Sequence, residues 1–148
     1  MGEFDGGVGS SGTTGQLHIR PMVPADVDAS DLVMRRSFGS FFGVAQPELT
    51  FGEAQYVRTR FRSSPDDAFV ALRGDEIVGS VFVARWGSFG FFGPLTVRED
   101  LWDQGIARQL MTPVMQRLRE WGVSLAGLHT FAQSAKHVGF YQSLGFWP

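Results

Sequence analysis

At 148 residues the chain has room for one domain with a sizeable core, and 43% hydrophobic against 19% charged residues is an ordinary globular composition. No apolar run reaches the roughly eighteen residues of a membrane span, and no basic segment followed by an apolar stretch opens the chain as a secretory signal would. The absence of cysteine excludes a disulfide, a thiol nucleophile and a thiolate metal site, and a formal charge of −2 argues against a nucleic-acid partner. No metal and no membrane contact are expected, and the location is expected to be cytoplasmic.

Residues 1–15 hold six glycines, two acids and no basic residue, too little apolar area to offset ordering, so they are expected to form a disordered tail. The domain is expected from about Gln16, where Leu17 to Pro21 alternates like a short strand. Pro24-Ala25-Asp26 opens a helix on which Val27, Leu32, Val33 and Phe38 share one side, followed by a loop over 38–47 rich in glycine and aromatics. A second helix is predicted from about Gly52 to Phe61, closed by Ser63-Ser64-Pro65; its Arg58, Arg60 and Arg62 read as a solvated face. Two β-rich runs, 68–72 and 77–83, flank Arg73-Gly74-Asp75-Glu76 as a hairpin. A third strand of the meander runs from Phe89 to Val97, with Gly93-Pro94 expected to bulge or kink it.

From Gly105 to Trp121 the period becomes helical. Ile106, Leu110, Val114, Leu118 and Trp121 form one stripe, Gly122 is a stop, and Pro113 should bend the helix. Ser124 to Phe131 reads as another apolar strand. Ser134 then caps a last helix reaching about Leu144 and ended by Gly145.

The chemistry-bearing stretch is Leu95 to Leu110. A strand ends at Val97, a polar loop follows, and a small-residue turn starts an amphipathic helix. The first turn of a helix presents unpaired N–H groups and the positive end of its dipole, so it can hold a phosphate. Gly105 and Ala107 would let an anion approach those donors, and Arg108 adds a charge. Glycines also begin helices for packing reasons, and both readings stand on these residues alone. No lysine follows Gly105 as a P-loop requires, and no G-x-G-x-x-G follows an early strand, which argues against an ATP or dinucleotide site. The second piece, Ser134 to Phe146, is a helix with a stripe of Val138, Tyr141 and Leu144.

Together, in order and about thirty residues apart, the two pieces resemble motifs A and B of the GNAT superfamily of N-acetyltransferases. Val97, Gly105 and Ala107 fill the valine and the two small positions of motif A, and Trp102 departs from its arginine or glutamine. Tyr141, Gly145 and Phe146 match motif B, whose leading asparagine is here Ser134. The resemblance implies an α/β (α+β) fold, a twisted mixed sheet flanked by helices, with splayed fourth and fifth strands. It implies acetyl-coenzyme A as co-substrate, with pantetheine along Leu95, Thr96 and Val97 and the pyrophosphate held by Trp102, Asp103, Gln104, Gly105, Ile106, Ala107 and Arg108, near Ser134. Tyr141 would supply a proton, or a hydrogen bond, to the leaving thiolate. The acceptor would be a small-molecule or peptide amine, attacking directly; net charge and the loop aromatics Phe38, Phe41, Phe42, Phe51 and Trp86 suggest a cationic or partly apolar one. The other functional reading is a non-catalytic acyl-coenzyme A-binding module, a sensor or half of a tandem protein.

Many family members carry a glutamate on the fourth strand, acting as base through water. The stretch Phe89 to Val97 has no carboxylate, and Glu99 lies beyond it as a loop acid. His129 is the better base on chemical grounds, because imidazole titrates near neutrality, with a structural histidine as the competing reading. His137, one turn before Tyr141, is a weaker choice. The family continues past Gly-Phe with two more strands. Here Trp147-Pro148 follows, so either the chain is part of a longer or split protein or another chain supplies that wall. An open fifth-strand edge makes a homodimer or strand exchange the expected consequence.

Overall fold

The computed structural model describes residues 15–148, so the glycine-rich segment read as a tail lies, apart from Gly15, outside the described residues. Five strands form one sheet in the order β1 (Leu17–Pro21), β2 (Ala68–Arg73), β3 (Glu76–Trp86), β4 (Phe89–Val97) and β5 (Leu125–Gly127). The first four pair antiparallel, and β5 pairs parallel to β4. Helices α1 (Val27–Phe42), α2 (Tyr56–Ser63), α3 (Ile106–Trp121) and α4 (Ala135–Gln142) complete the described fold, and no described helix is long and apolar enough to cross a membrane.

Strand alternation divides the core. On β2, Ala68, Val70 and Leu72 join Val27, Met34 of α1 and Val57 of α2, whereas Phe69 and Ala71 join the α3 stripe of Ile106, Leu110, Val114 and Leu118. The sheet therefore has α1 and α2 on one face and α3 on the other. The predicted hairpin forms around Gly74, whose φ of +57° is the left-handed geometry that a side chain resists.

Four boundaries differ from expectation. Helix α1 continues through the segment read as loop and stops at Gly43, whose φ is +69° and whose N–H bonds the carbonyls of Gly39 and Ser40. Its buried face is Val27, Ser30, Val33, Met34 and Gly39, and Leu32 is exposed. Helix α2 starts at Tyr56 instead of Gly52, because Phe51 and Gly52 both adopt left-handed φ, +71° and +54°. Helix α3 keeps its expected bounds, Ile106 to Trp121, with Pro113 inside it. Strand β5 is three residues long instead of spanning 124–131, and α4 ends at Gln142.

The shortness of β5 follows from β4. Val83 pairs with Phe92 but Val81 with Leu95, so Gly93-Pro94 inserts one extra residue opposite Phe82, the bulge its sequence foretold. Pairing with β5 covers only Phe89 to Phe91. Beyond that point the two strands part, and the gap between them is where the site lies.

The loop between α1 and α2 is held by a residue that the sequence reading passed over. Arg35 is buried, donates to the carbonyls of Thr50, Gly52 and Ala54 at 2.7, 2.6 and 2.6 Å, and is ion-paired with Asp31. Removing the guanidinium strands three carbonyls and a carboxylate. Arg35→Met is expected to cost about 3 kcal/mol, read as a lowered urea midpoint at unchanged slope. A loss below about 0.5 kcal/mol would show that the loop is held by its own turns.

Candidate active site

The gap between β4 and the chain after β5 opens into a cavity of about 680 Å³. One end is formed by the start of α3. Gly105 is the residue before the helix, with φ of +78°, and an added Cβ there would meet nothing within 4 Å. The backbone conformation thus favours glycine, and no protein atom fills the space beside it. Asp103, two residues earlier, is also left-handed at φ +64°. Lys136 at the head of α4 reaches back to Asp103 at 2.7 Å and lies 5.8 Å from the Trp102 ring. Both charges of that pair are exposed, so the pair contributes little stability, and its lysine adds a cation beside the helix start.

The splayed strand presents backbone groups to the same gap. The Arg98 N–H bonds the Val78 carbonyl at 2.8 Å, which sets Val97 in the alternation so that its own N–H and C=O turn away from β3. Leu95, two residues back, faces the same way. Trp102 donates its indole N–H to the Val97 carbonyl at 2.8 Å. The tryptophan that departs from motif A therefore ties the loop to the strand end and occupies that carbonyl, which leaves the Val97 N–H and both groups of Leu95 to a ligand.

Tyr141 packs its ring 5.8 Å from that of Phe92 and 5.1 Å from that of Phe140. Its hydroxyl makes no hydrogen bond among the described residues. Burial pushes the phenol up to about 12, so it stays protonated across the working range and can donate. His129 lies 5.6 Å from Phe91, ring to ring. Phe91 and Phe92 are neighbours on a strand and face opposite sides of the sheet. Tyr141 and His129 are accordingly placed on the two sides of the parted strands.

Of the residues expected in the site, Leu95, Thr96, Val97, Trp102, Asp103, Gly105, Ile106, Ala107, Arg108, Ser134, His129 and Tyr141 all line the cavity. Gln104 does not: its side chain accepts from Arg73 at 2.7 Å, outside the cavity. Arg108 donates to Ser143 at 2.7 Å and lies 5.7 Å from the Phe140 ring, so it borders the cavity from the α4 side. Thr96 is buried and its hydroxyl is 3.3 Å from that of Ser80. Ser134 caps α4 through the His137 N–H, and its oxygen is 2.6 Å from His137 Nδ1. Burial, with a smaller push from Lys136, lowers the His137 pKa, which keeps the imidazole neutral. Glu99 is not among the lining residues; its nearest cation is Arg36 at 3.9 Å.

Of the loop aromatics expected to meet the acceptor, Phe38 and Phe41 line the cavity, and the sequence reading missed Phe131 and Arg60. Phe41 of α1 stacks on Phe131 at 4.8 Å and meets His137 at 5.1 Å, so the end of α1 closes the gap against α4. Arg60 of α2 joins it.

The site therefore lies where two parallel-paired strands of a mixed five-stranded sheet part at the start of a helix. The model of the acetyltransferase (GNAT) family matches residues 33–146, and the chain belongs to that family. Among solved structures it is similar to the PaiA N-acetyltransferase of Thermoplasma acidophilum in complex with coenzyme A, with TM-score 0.70 and 14% identity, covering 87% of this chain and 88% of that one. A GNAT family acetyltransferase of Brucella melitensis in complex with acetyl-CoA gives TM-score 0.68 and 18% identity, covering 90% and 84%. The ribosomal-protein-S18-alanine N-acetyltransferase of Escherichia coli gives 0.65 and 16%, covering 88% and 77%. Among curated proteins none matches by sequence.

Proposed function

We propose that the protein is an N-acetyltransferase that moves an acetyl group from acetyl-coenzyme A to a primary amine by direct attack. The observation that carries this reading is the continuous path from the parted strands to the helix start at Gly105, with an unbonded phenol bordering it. Pantetheine would lie along Leu95 and Val97 as an added strand does, and the pyrophosphate would meet the first N–H groups of α3. The amine arrives from the α1–α2 side and attacks the carbonyl carbon, and the C–S bond breaks toward Tyr141. A phenol held at about 12 is a poor donor of a whole proton to a thiolate, whose conjugate acid titrates far lower. Its role is a hydrogen bond that strengthens as charge builds on sulfur. His129, on the amine side, is the candidate to accept the amine's proton. A cytoplasmic location belongs to the same proposal, since acetyl-coenzyme A is a cytoplasmic metabolite.

The second reading, an acyl-coenzyme A-binding module without catalysis, draws on the absence of a carboxylate from Phe89–Val97. Thiol release decides between them. The chain has no cysteine, so a thiol reagent reports only coenzyme A. Free thiol that rises from acetyl-coenzyme A in proportion to added amine is the expected result. Tight coenzyme A binding with no release across a broad amine panel would leave only the binding module.

A further inference from the structure

The acceptor end of the cavity carries a charge opposite to that of the chain as a whole. Arg60 lies on α2 with its guanidinium 5.7 Å from the centre of the Phe91 ring, and it makes no hydrogen bond or ion pair among the described residues. Of the described side chains lining the cavity only Asp103 is acidic, and Asp103 is at the α3 end, paired with Lys136 at 2.7 Å. The ring beside Arg60 is Phe91, and Phe38, Phe41 and Phe131, packed on one another, line the same cavity. An adjoining hollow of about 280 Å³ shares Arg60, Phe91 and Gly93 with the main cavity and adds Arg85, again with no carboxylate.

These groups discriminate between classes of amine. A polyamine or another multiply cationic acceptor would bring ammonium groups beside Arg60 with no counter-charge, which costs both repulsion and desolvation. A guanidinium left open beside an apolar wall is instead matched by a carboxylate, which it can hold through two parallel hydrogen bonds. The absence of acid at this end also means that nothing there holds the attacking amine in its protonated form.

We propose that Arg60 is the specificity residue for an acceptor that bears a carboxylate beside its amine and an apolar or aromatic side chain, an amino acid of that class. This rests on the acetyl-transfer reading for the identity of the amine, but its binding part does not depend on turnover. Arg60 holds the carboxylate, Phe38, Phe41 and Phe131 receive the side chain, and the amine points to the gap between β4 and β5.

The test uses the acetylated product as probe, so that no chemistry is required. N-acetyl-L-phenylalanine and its carboxamide are titrated by calorimetry into the full chain saturated with coenzyme A. The acid is expected to bind at least about tenfold more tightly than the amide, about 1.4 kcal/mol. In Arg60→Gln that preference is expected to fall to within about twofold, and Arg60→Lys is expected to keep part of it. Coenzyme A affinity should be equal in all three proteins, which shows that the variants are folded. Equal binding of acid and amide by the native chain would overturn the proposal, and so would a preference that survives Arg60→Gln. The two readings also fail separately. Thiol release with amines that lack a carboxylate, at rates equal to those with phenylalanine, sinks the specificity and leaves the enzyme. An Arg60-dependent acid preference without thiol release sinks catalysis and leaves the carboxylate site.

Discussion

Tyr141→Phe is expected to lower turnover by roughly ten- to a thousandfold while coenzyme A affinity and folding stay as they are. The substitution removes one oxygen and keeps the ring that packs on Phe92 and Phe140. Because the hydroxyl has no partner among the described residues, its loss strands no donor or acceptor in the fold. A packing role therefore predicts almost no effect, and a role at the leaving sulfur predicts a large one in kcat. The pH profile gives a second reading of the same residue. A folded pKa of about 12, raised from the free value by burial, means the phenol donates unchanged up to strongly alkaline pH. Any alkaline fall in rate between about pH 7 and 9 must then come from another group. The sign for stability is opposite to that of a paired carboxylate: above about pH 10 the unfolded chain releases the proton first, so stability declines there. Full turnover per folded Tyr141→Phe molecule would return the residue to the core.

The second large effect is expected at Gly105. Gly105→Glu should weaken coenzyme A binding at least about tenfold, or about 1.4 kcal/mol. The protein itself has room, since an added Cβ meets nothing within 4 Å, so a loss of affinity would come from the new carboxylate meeting the pyrophosphate where the proposal puts it. Two costs have to be separated. Any side chain at φ +78° is strained by roughly 1–2 kcal/mol, which lowers stability but not affinity for a folded chain. Gly105→Asn serves as the control, because asparagine tolerates left-handed φ and carries no charge. The asparagine variant is expected to bind coenzyme A far better than the glutamate variant. Normal affinity in Gly105→Glu would place the pyrophosphate elsewhere.

The parts of the fold that alternate or repeat were legible in the sequence. The β2–β3 hairpin, the full length of β4 with its bulge, and the buried stripe of α3 all follow from periods of two and 3.6 interrupted by glycine or proline. The part of the cavity proposed for the cofactor was legible for the same reason, since its lining lies on one strand end and one helix start that are contiguous in the chain. What sequence hid depends on contacts between distant segments. Helix α1 runs four residues past Phe38 because its end is packed against Phe131 and Phe51, which no local pattern announces. The apolar run from Ser124 to Phe131 looks like one strand throughout, but only three residues find a partner once the bulge turns β4 aside. Gln104 is turned outward by Arg73, 31 residues away. Arg60 read as one of three solvated arginines, and only the tertiary fold sets it beside Phe91, 31 residues away.

Backbone amide resonances recorded as coenzyme A is added test the placement of the cofactor most directly. The largest shifts are expected at the N–H groups of 105–108, with further shifts at Leu95, Val97 and the indole of Trp102, and none at β1 or the outer face of α2. Saturable binding with its largest shifts away from the start of α3, or no binding at millimolar coenzyme A, would contradict the assignment of the parted strands as the acyl-donor site.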